Sequence, residues 1–221
     1  MDPITPALLP AITPELLLNA YASGVFPMAE SEEESEIFWV DPRQRGVFDL
    51  DRFHISRSLA KTLKSQRFDI RINHDFAATL RGCADRAQTW INAEIFELYS
   101  ALHEMGYAHS IEVWRENRLV GGTYGVALQG AWFGESMFSR ETDASKVALA
   151  YTVAHLRAGG FTLFDTQFLT PHLASLGAIE ISRATYRKQL GVALGVTADF
   201  APRPPSLYEV LQLRTQTSYR G

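Results

Sequence analysis

The sequence predicts a mixed α/β (α+β) protein, and three observations carry that expectation. From His109 the pattern is that of strands: "HSIEVWR", a turn at Glu116-Asn117, "RLVGGTYGVAL", a turn at Gln129-Gly130 and "AWFGESMF" form a β-meander. The segment "DASKVALAYTVAHLRAGG" follows as a helix that is apolar almost all round, which implies burial on several sides, and Gly159-Gly160 ends it. A further strand, "FTLFDTQF", and a closing helix, "RATYRKQL", complete a sheet with helices packed on it.

The elements before the meander follow from local signals. "TPELLLNAYASGVFPM" has Thr13 as an N-cap, Pro14 at the first helical position and Gly24 as a stop, so it reads as a short helix. The acidic run "AESEEESE" is expected as a solvated loop, and "IFWVDPRQRGVFDL" as an extended segment broken at Pro42. "SRSLAKTLKSQ" is a basic helix and "FDIRINH" a strand. A second helix covers Ala93 to Met105, with Ile95, Leu98, Tyr99 and Leu102 at helical spacing and Gly106 to stop it. The tail, 201–221, starts with a proline-rich linker and is open to partial disorder.

Composition narrows the function classes. With 221 residues, 46% of them hydrophobic, the chain buries one substantial core, and no window approaches the roughly 18 apolar residues of a membrane span. The N-terminus "MDPITPALLP" lacks the basic start and apolar core of a signal peptide, so a soluble, cytoplasmic protein without membrane association is expected. The single cysteine, Cys83, suits a reducing compartment and is expected in the core. The net charge of −4 argues against wholesale nucleic-acid binding, yet the segment from Arg43 to Arg71 is locally basic. The six histidines are scattered without metal-ligand spacing, and Ser136 in "FGESM" lacks the second glycine of a hydrolase elbow.

Two sets of polar residues interrupt the apolar framework. In "FTLFDTQF" a period of two puts Leu163, Asp165 and Gln167 on one face. A carboxylate on a central strand is costly unless paired or used, so Asp165 marks either a structural hydrogen-bond network or a site. Glu135 adds a second carboxylate beside Gly134, where a bare backbone leaves room for a close approach; its alternative reading is a β-bulge with a salt-bridged Glu.

The stretches "LLLNAYASGVFPM", "WVDPRQRGV", "FHISRS", "TWI", "LHEMGYAHSIEVW", "LVGGTYGVALQGAWFGESMFS", "ASKVAL", "FDTQF" and "SLGAIEISRATYRKQL" resemble, in this order, the bacterial leucyl/phenylalanyl-tRNA–protein transferases. The resemblance runs from about residue 12 to about residue 190. It implies a small N-terminal domain, over residues 1–62, followed by a main domain, over 63–200, with the acetyltransferase-like fold of the Gcn5-related (GNAT) superfamily. The implied activity moves Leu, Phe or, less well, Met from tRNA to an N-terminal Arg or Lys of a protein, creating a degradation signal. An aminoacyl-tRNA ester is already activated, so no cofactor and no metal are expected, and positioning plus one proton transfer suffice. The partners implied are aminoacyl-tRNA and proteins or peptides with N-terminal Arg or Lys, and we expect a monomer.

The resemblance also assigns residues. Asp165 and Gln167 correspond to the catalytic pair, Asp165 polarising Gln167 so that its carbonyl oxygen takes a proton, and Glu135 to the residue that engages the acceptor. Trp132, Gly134, Met137, Leu156 and Phe164 correspond to the pocket for the donor side chain, with Thr123 and Thr152 in place of larger apolar residues. Trp90 corresponds to the tryptophan at the terminal adenosine; Trp39 keeps one of two family aromatics, and Val40 takes the second place. Arg43, Arg45, Arg57 and Lys61, with Lys64, are candidate phosphate contacts. Two other classes are weighed against this one. An acetyl-CoA-dependent N-acetyltransferase needs a glycine-rich pyrophosphate loop, which "SRETDASK" does not supply. A catalytically silent tRNA- or peptide-binding relative predicts binding without transfer.

Overall fold

The computed structural model describes residues 12–29, 37–86, 89–201 and 203–216; the acidic run expected as a loop lies mostly outside these. Helix α1 (Pro14–Ala22) starts where the sequence places it, with the Thr13 hydroxyl accepting from Leu16 N and proline at its head. Strands β1 (Phe26–Ala29) and β2 (Ile37–Val40) pair as an antiparallel ribbon. Then follow β3 (Gln44–Phe48), α2 (Arg57–Lys64), β4 (Asp69–Ile72), α3 (Phe76–Ala84) and α4 (Ala93–Glu104). The meander is β5 (Ala108–Arg115), β6 (Arg118–Leu128) and β7 (Ala131–Ser139). Its first turn holds Glu116 and Asn117 at φ of 51° and 58°, the paired left-handed geometry that suits a two-residue hairpin. The chain continues through α5 (Ala144–Ala158), β8 (Leu163–Gln167), α6 (Pro171–Ser175), β9 (Ala178–Ser182), α7 (Arg183–Ala193) and α8 (Leu207–Gln216).

Seven strands form one sheet in the order β4-β5-β6-β7-β8-β3-β9. All neighbours are antiparallel except β7 and β8, which run parallel across the α5 crossover, so the sheet is mixed and the fold α/β as expected. Strand β3, from the segment expected as an N-terminal domain, lies inside this sheet between β8 and β9. Period-two alternation sends Trp132 and Phe164 to one face, where α2, α5 and α8 pack, and Phe133 and Leu163 to the other, with Leu17, Tyr21, Tyr99 and Tyr186 of α1, α4 and α7. Helix α5 buries residues around its whole circumference, as its composition requires.

Five elements were not anticipated: β1, α3, α6, β9 and α8. Of the tail expected to be open to partial disorder, residues 202 and 217–221 lie outside the described residues. Helix α8 docks against α5 and α2, with Val210 and Leu213 buried in the same apolar cluster as Trp132.

Candidate active site

The site arises from an incomplete strand pairing. Strands β7 and β8 are in register only at Ala131↔Leu163, Trp132↔Phe164 and Phe133↔Asp165, although β7 continues to Ser139 and β8 to Gln167. Beyond the last pair no backbone pairing joins the two strands, which leaves a gap in the ladder at their carboxyl ends, where ligands of α/β sheets commonly bind. On the β6 side, Tyr124 pairs with Ser136 and Gly125 with Gly134, which leaves Glu135 as the extra residue of a β-bulge. The bulge anticipated from the sequence is therefore present. It turns the Glu135 carboxylate toward α1 and α4 rather than into a salt bridge.

Glu135 is held by neutral donors. Its Oε1 accepts from Tyr21 Oη at 2.7 Å and from Gln167 Nε2 at 2.9 Å, and its Oε2 accepts from Tyr99 Oη at 2.8 Å. The two tyrosine hydroxyls also touch each other. Burial pushes the Glu135 pKa up to about 7; the three hydrogen bonds oppose this rise and the nearby Asp165 charge adds to it. Burial likewise raises the Tyr21 and Tyr99 hydroxyls well above their ordinary value, so both remain neutral donors.

Asp165 has the opposite environment. Its Oδ1 accepts from Arg45 Nε at 2.8 Å and from the Gln167 backbone N–H at 2.8 Å, while its Oδ2 accepts from Arg45 Nη2 at 2.6 Å and Tyr186 Oη at 2.8 Å. The Arg45 fork is bidentate, the strongest geometry a carboxylate can find. The guanidinium also donates to Gly24 O at 3.1 Å and lies 4.4 Å from the ring centres of both Phe26 and Tyr186. Burial works against its charge, but the contact with Asp165 outweighs it and leaves the Arg45 pKa raised.

This geometry corrects two expectations. Arg45 is not available as a tRNA phosphate contact: it is 1% exposed and its donors are committed to Asp165, Gly24 and Tyr186. Nor does Asp165 polarise the Gln167 side chain directly. It takes the Gln167 backbone N–H, and the side-chain amide donates to Glu135 across the gap. Gln167 reaches that position with φ of 63°, a left-handed conformation uncommon outside glycine, so the Asp165 hydrogen bond holds a strained residue in place.

The remaining predicted residues fall into three groups. Trp132, Leu156 and Phe164 are buried on the α5 face of the sheet and Met137 packs against them, so this apolar set borders the gap from the face opposite the carboxylates. Gly134 does leave space, but the Phe164 ring takes it: a Cβ there would sit 2.8 Å from Phe164 Cε2. Trp90 is half-buried and meets Tyr99 edge-on at 6.3 Å, one hydrogen bond from Glu135. Trp39 is 40% exposed on β2. Arg57 and Lys61 lie on the solvent side of α2, whose Leu59, Ala60 and Leu63 face the core. Arg43 is exposed and lines a cavity of about 550 Å³ with Ser182, Arg183 and Arg187.

Tyr21, Tyr99 and Tyr186 were not anticipated as part of the site. A signal was available. Tyr99 sits within the apolar stripe Ile95-Leu98-Tyr99-Leu102, and a hydroxyl at a core position requires a buried partner.

The fold is thus a mixed sheet whose one parallel pair ends beside two buried carboxylates. The family model described as leucyl/phenylalanyl-tRNA protein transferase matches residues 47–191, and that of its N-terminal domain matches residues 11–43. A leucyl/phenylalanyl-tRNA–protein transferase of Cereibacter sphaeroides is 63% identical over 211 residues, covering 95% of this chain and 99% of its own. One from a Ruegeria species is 61% identical over 208 residues, covering 94% and 99%. Among solved structures FemX is similar at a TM-score of 0.48 and 13% identity, over 78% of this chain and 69% of its own. The chain belongs to the leucyl/phenylalanyl-tRNA–protein transferase family and is an aminoacyltransferase.

Proposed function

We propose that this enzyme transfers Leu and Phe, and less readily Met, from aminoacyl-tRNA to proteins bearing an N-terminal Arg or Lys, generating a degradation signal in the cytoplasm as a monomer. The observation that carries the reading is the hydrogen bond from Gln167 Nε2 to Glu135 Oε1, which spans the gap between β7 and β8. It joins a carboxylate and an amide across the ends of the two parallel strands, where their register breaks off.

In this reading the donor side chain enters from the apolar face, against Trp132, Met137, Leu156 and Phe164, and its ester lies in the gap. The acceptor α-amine approaches beside Glu135 and Gln167. As the amine nitrogen attacks, the peptide C–N bond forms, the ester C–O bond to the terminal ribose breaks, one amine proton leaves and the ribose oxygen gains one. Glu135, with its pKa near 7, both attracts the α-ammonium and can take the proton that the attack releases. The Gln167 Oε1, whose amide nitrogen is spent on Glu135, supplies a fixed acceptor for an amine hydrogen. Asp165 acts one layer back, holding Gln167 through the backbone while Arg45 and Tyr186 hold Asp165. Trp90 offers a ring for the terminal adenine.

Incubation with leucyl-tRNA and a peptide starting with Arg should yield a Leu-Arg peptide. Tight tRNA binding with no product would favour the silent binding relative, and transfer only from acetyl-CoA would favour the acetyltransferase.

A further inference from the structure

Behind the apolar set lies an arrangement that the catalytic reading does not use. After α7 the chain runs back over the α5 face before α8, and this strap is fastened at Asp199, whose N–H donates to Gly159 O at 3.0 Å. The approach depends on glycine: a Cβ on Gly159 would lie 2.2 Å from Asp199 O. The next residue, Phe200, places its ring in an aromatic cage. It stacks on Trp132 at 5.0 Å and 15° and on His109 at 4.2 Å and 9°, with His155 tilted against it at 4.4 Å. Burial lowers both His109 and His155 to about 4, so the cage is uncharged at neutral pH.

Trp132 needs such a neighbour. Its ring is fully buried, yet its Nε1 has no hydrogen-bond partner among the described residues, so packing alone sets its orientation. Two sides of that packing belong to the sheet: Phe164 is its register partner on β8, and bare Gly125 brings the β6 backbone against the indole. Phe200 supplies a stacked contact from outside the sheet, and from beyond residue 191, where the family match ends.

We infer that Phe200 is a positioning residue that fixes the Trp132 indole and thereby the shape of the donor pocket, so that the C-terminal strap takes part in choosing among Leu, Phe and Met. The inference rests on the reading of Trp132 as a wall of that pocket. Loosening the strap enlarges and softens the wall, which penalises a small donor side chain more than a large one that can refill the space.

The test is a double-mutant cycle on donor selectivity, with kcat and KM measured for leucyl- and phenylalanyl-tRNA at a fixed Arg-peptide. Phe200→Ala should raise the Phe-to-Leu ratio of kcat/KM by about threefold or more, mainly through the donor KM, and leave the peptide KM unchanged. Phe200→Tyr should restore the wild-type ratio, and Phe200→Leu, which disturbs folding less, should shift it partway. In a Trp132→Ala background Phe200→Ala should produce no further shift. An unchanged ratio in Phe200→Ala and Phe200→Leu, with Trp132→Ala still shifting it, would overturn the role of Phe200 and leave the pocket reading standing. An equal fall for both donors would reduce the strap to a structural element. If Trp132→Ala itself leaves the ratio unchanged, the pocket reading fails and the inference with it.

Discussion

Replacing Glu135 by Gln removes one titrating charge from the centre of the site while keeping a side chain of the same size. A carboxyl raised by burial from 4.5 to about 7 is destabilised on ionisation by about 3 kcal/mol, at about 1.4 kcal/mol for each tenfold step. Between those two values the native chain still holds a proton that the unfolded chain has released. Stability from this group is therefore complete below 4.5, falls as pH rises through the window and levels off above about 7. Urea denaturation of wild type and Glu135→Gln across about pH 5 to 8 reads the effect, because titrating groups remote from Glu135 cancel in the difference. The stability difference should move in favour of the Gln variant by up to about 3 kcal/mol as pH rises. Transfer should behave oppositely. Wild-type turnover should climb through about pH 7 as Glu135 ionises, whereas the variant should be slower and lack that climb. Parallel stability curves for the two proteins would refute the burial argument.

The other expectations concern the groups around it. Arg45→Met leaves Asp165 buried without its cation and should cost about 3–5 kcal/mol in denaturant unfolding; a loss near zero would mean that the pair contributes no net stability. Asp165→Asn should lower kcat by about ten- to a thousandfold by releasing the strained Gln167, and near-normal turnover would make the pair a structural network only. Trp90→Ala should weaken a short aminoacyl-adenosine by about 1–3 kcal/mol, and equal binding to wild type would place the adenine elsewhere. Arg43→Ala or Lys61→Ala should flatten the salt dependence of tRNA binding by about one unit or less for all charged tRNAs alike; a full slope in both would identify these cations as solvated surface.

The meander, the encircled α5 helix and the polar positions on β7 and β8 were legible because each rests on a short-range period that burial enforces. The segments α3, α6 and β9 were not. Length alone does not explain this, since α2 of eight residues and β8 of five were legible, and α6 has at Thr170-Pro171 the same capped proline start as α1. Glu135, Asp165 and Gln167 could be singled out because a polar group on an apolar strand is anomalous locally. Arg45 could not, since it lies in a basic stretch that suggests a solvated surface and is instead buried 120 positions away from Asp165 in sequence. Helix α8 was not read either, although Leu207, Val210 and Leu211 recur at helical spacing and pack on one apolar cluster.

Glu135 and Asp165 draw their partners from both ends of the chain: Tyr21 lies 114 positions before Glu135, and Tyr186 lies 21 positions after Asp165. During synthesis, Tyr21 and Arg45 leave the ribosome long before the residues they will hold, and Tyr186 arrives only near the end. A nascent chain therefore completes the Glu135 set only when Gln167 has been made, and the Asp165 set only when Tyr186 has followed. Such distant contacts are slow to form, and they make activity report on completed folding. A truncated or stalled product should be silent, with no partial transferase released into the cell.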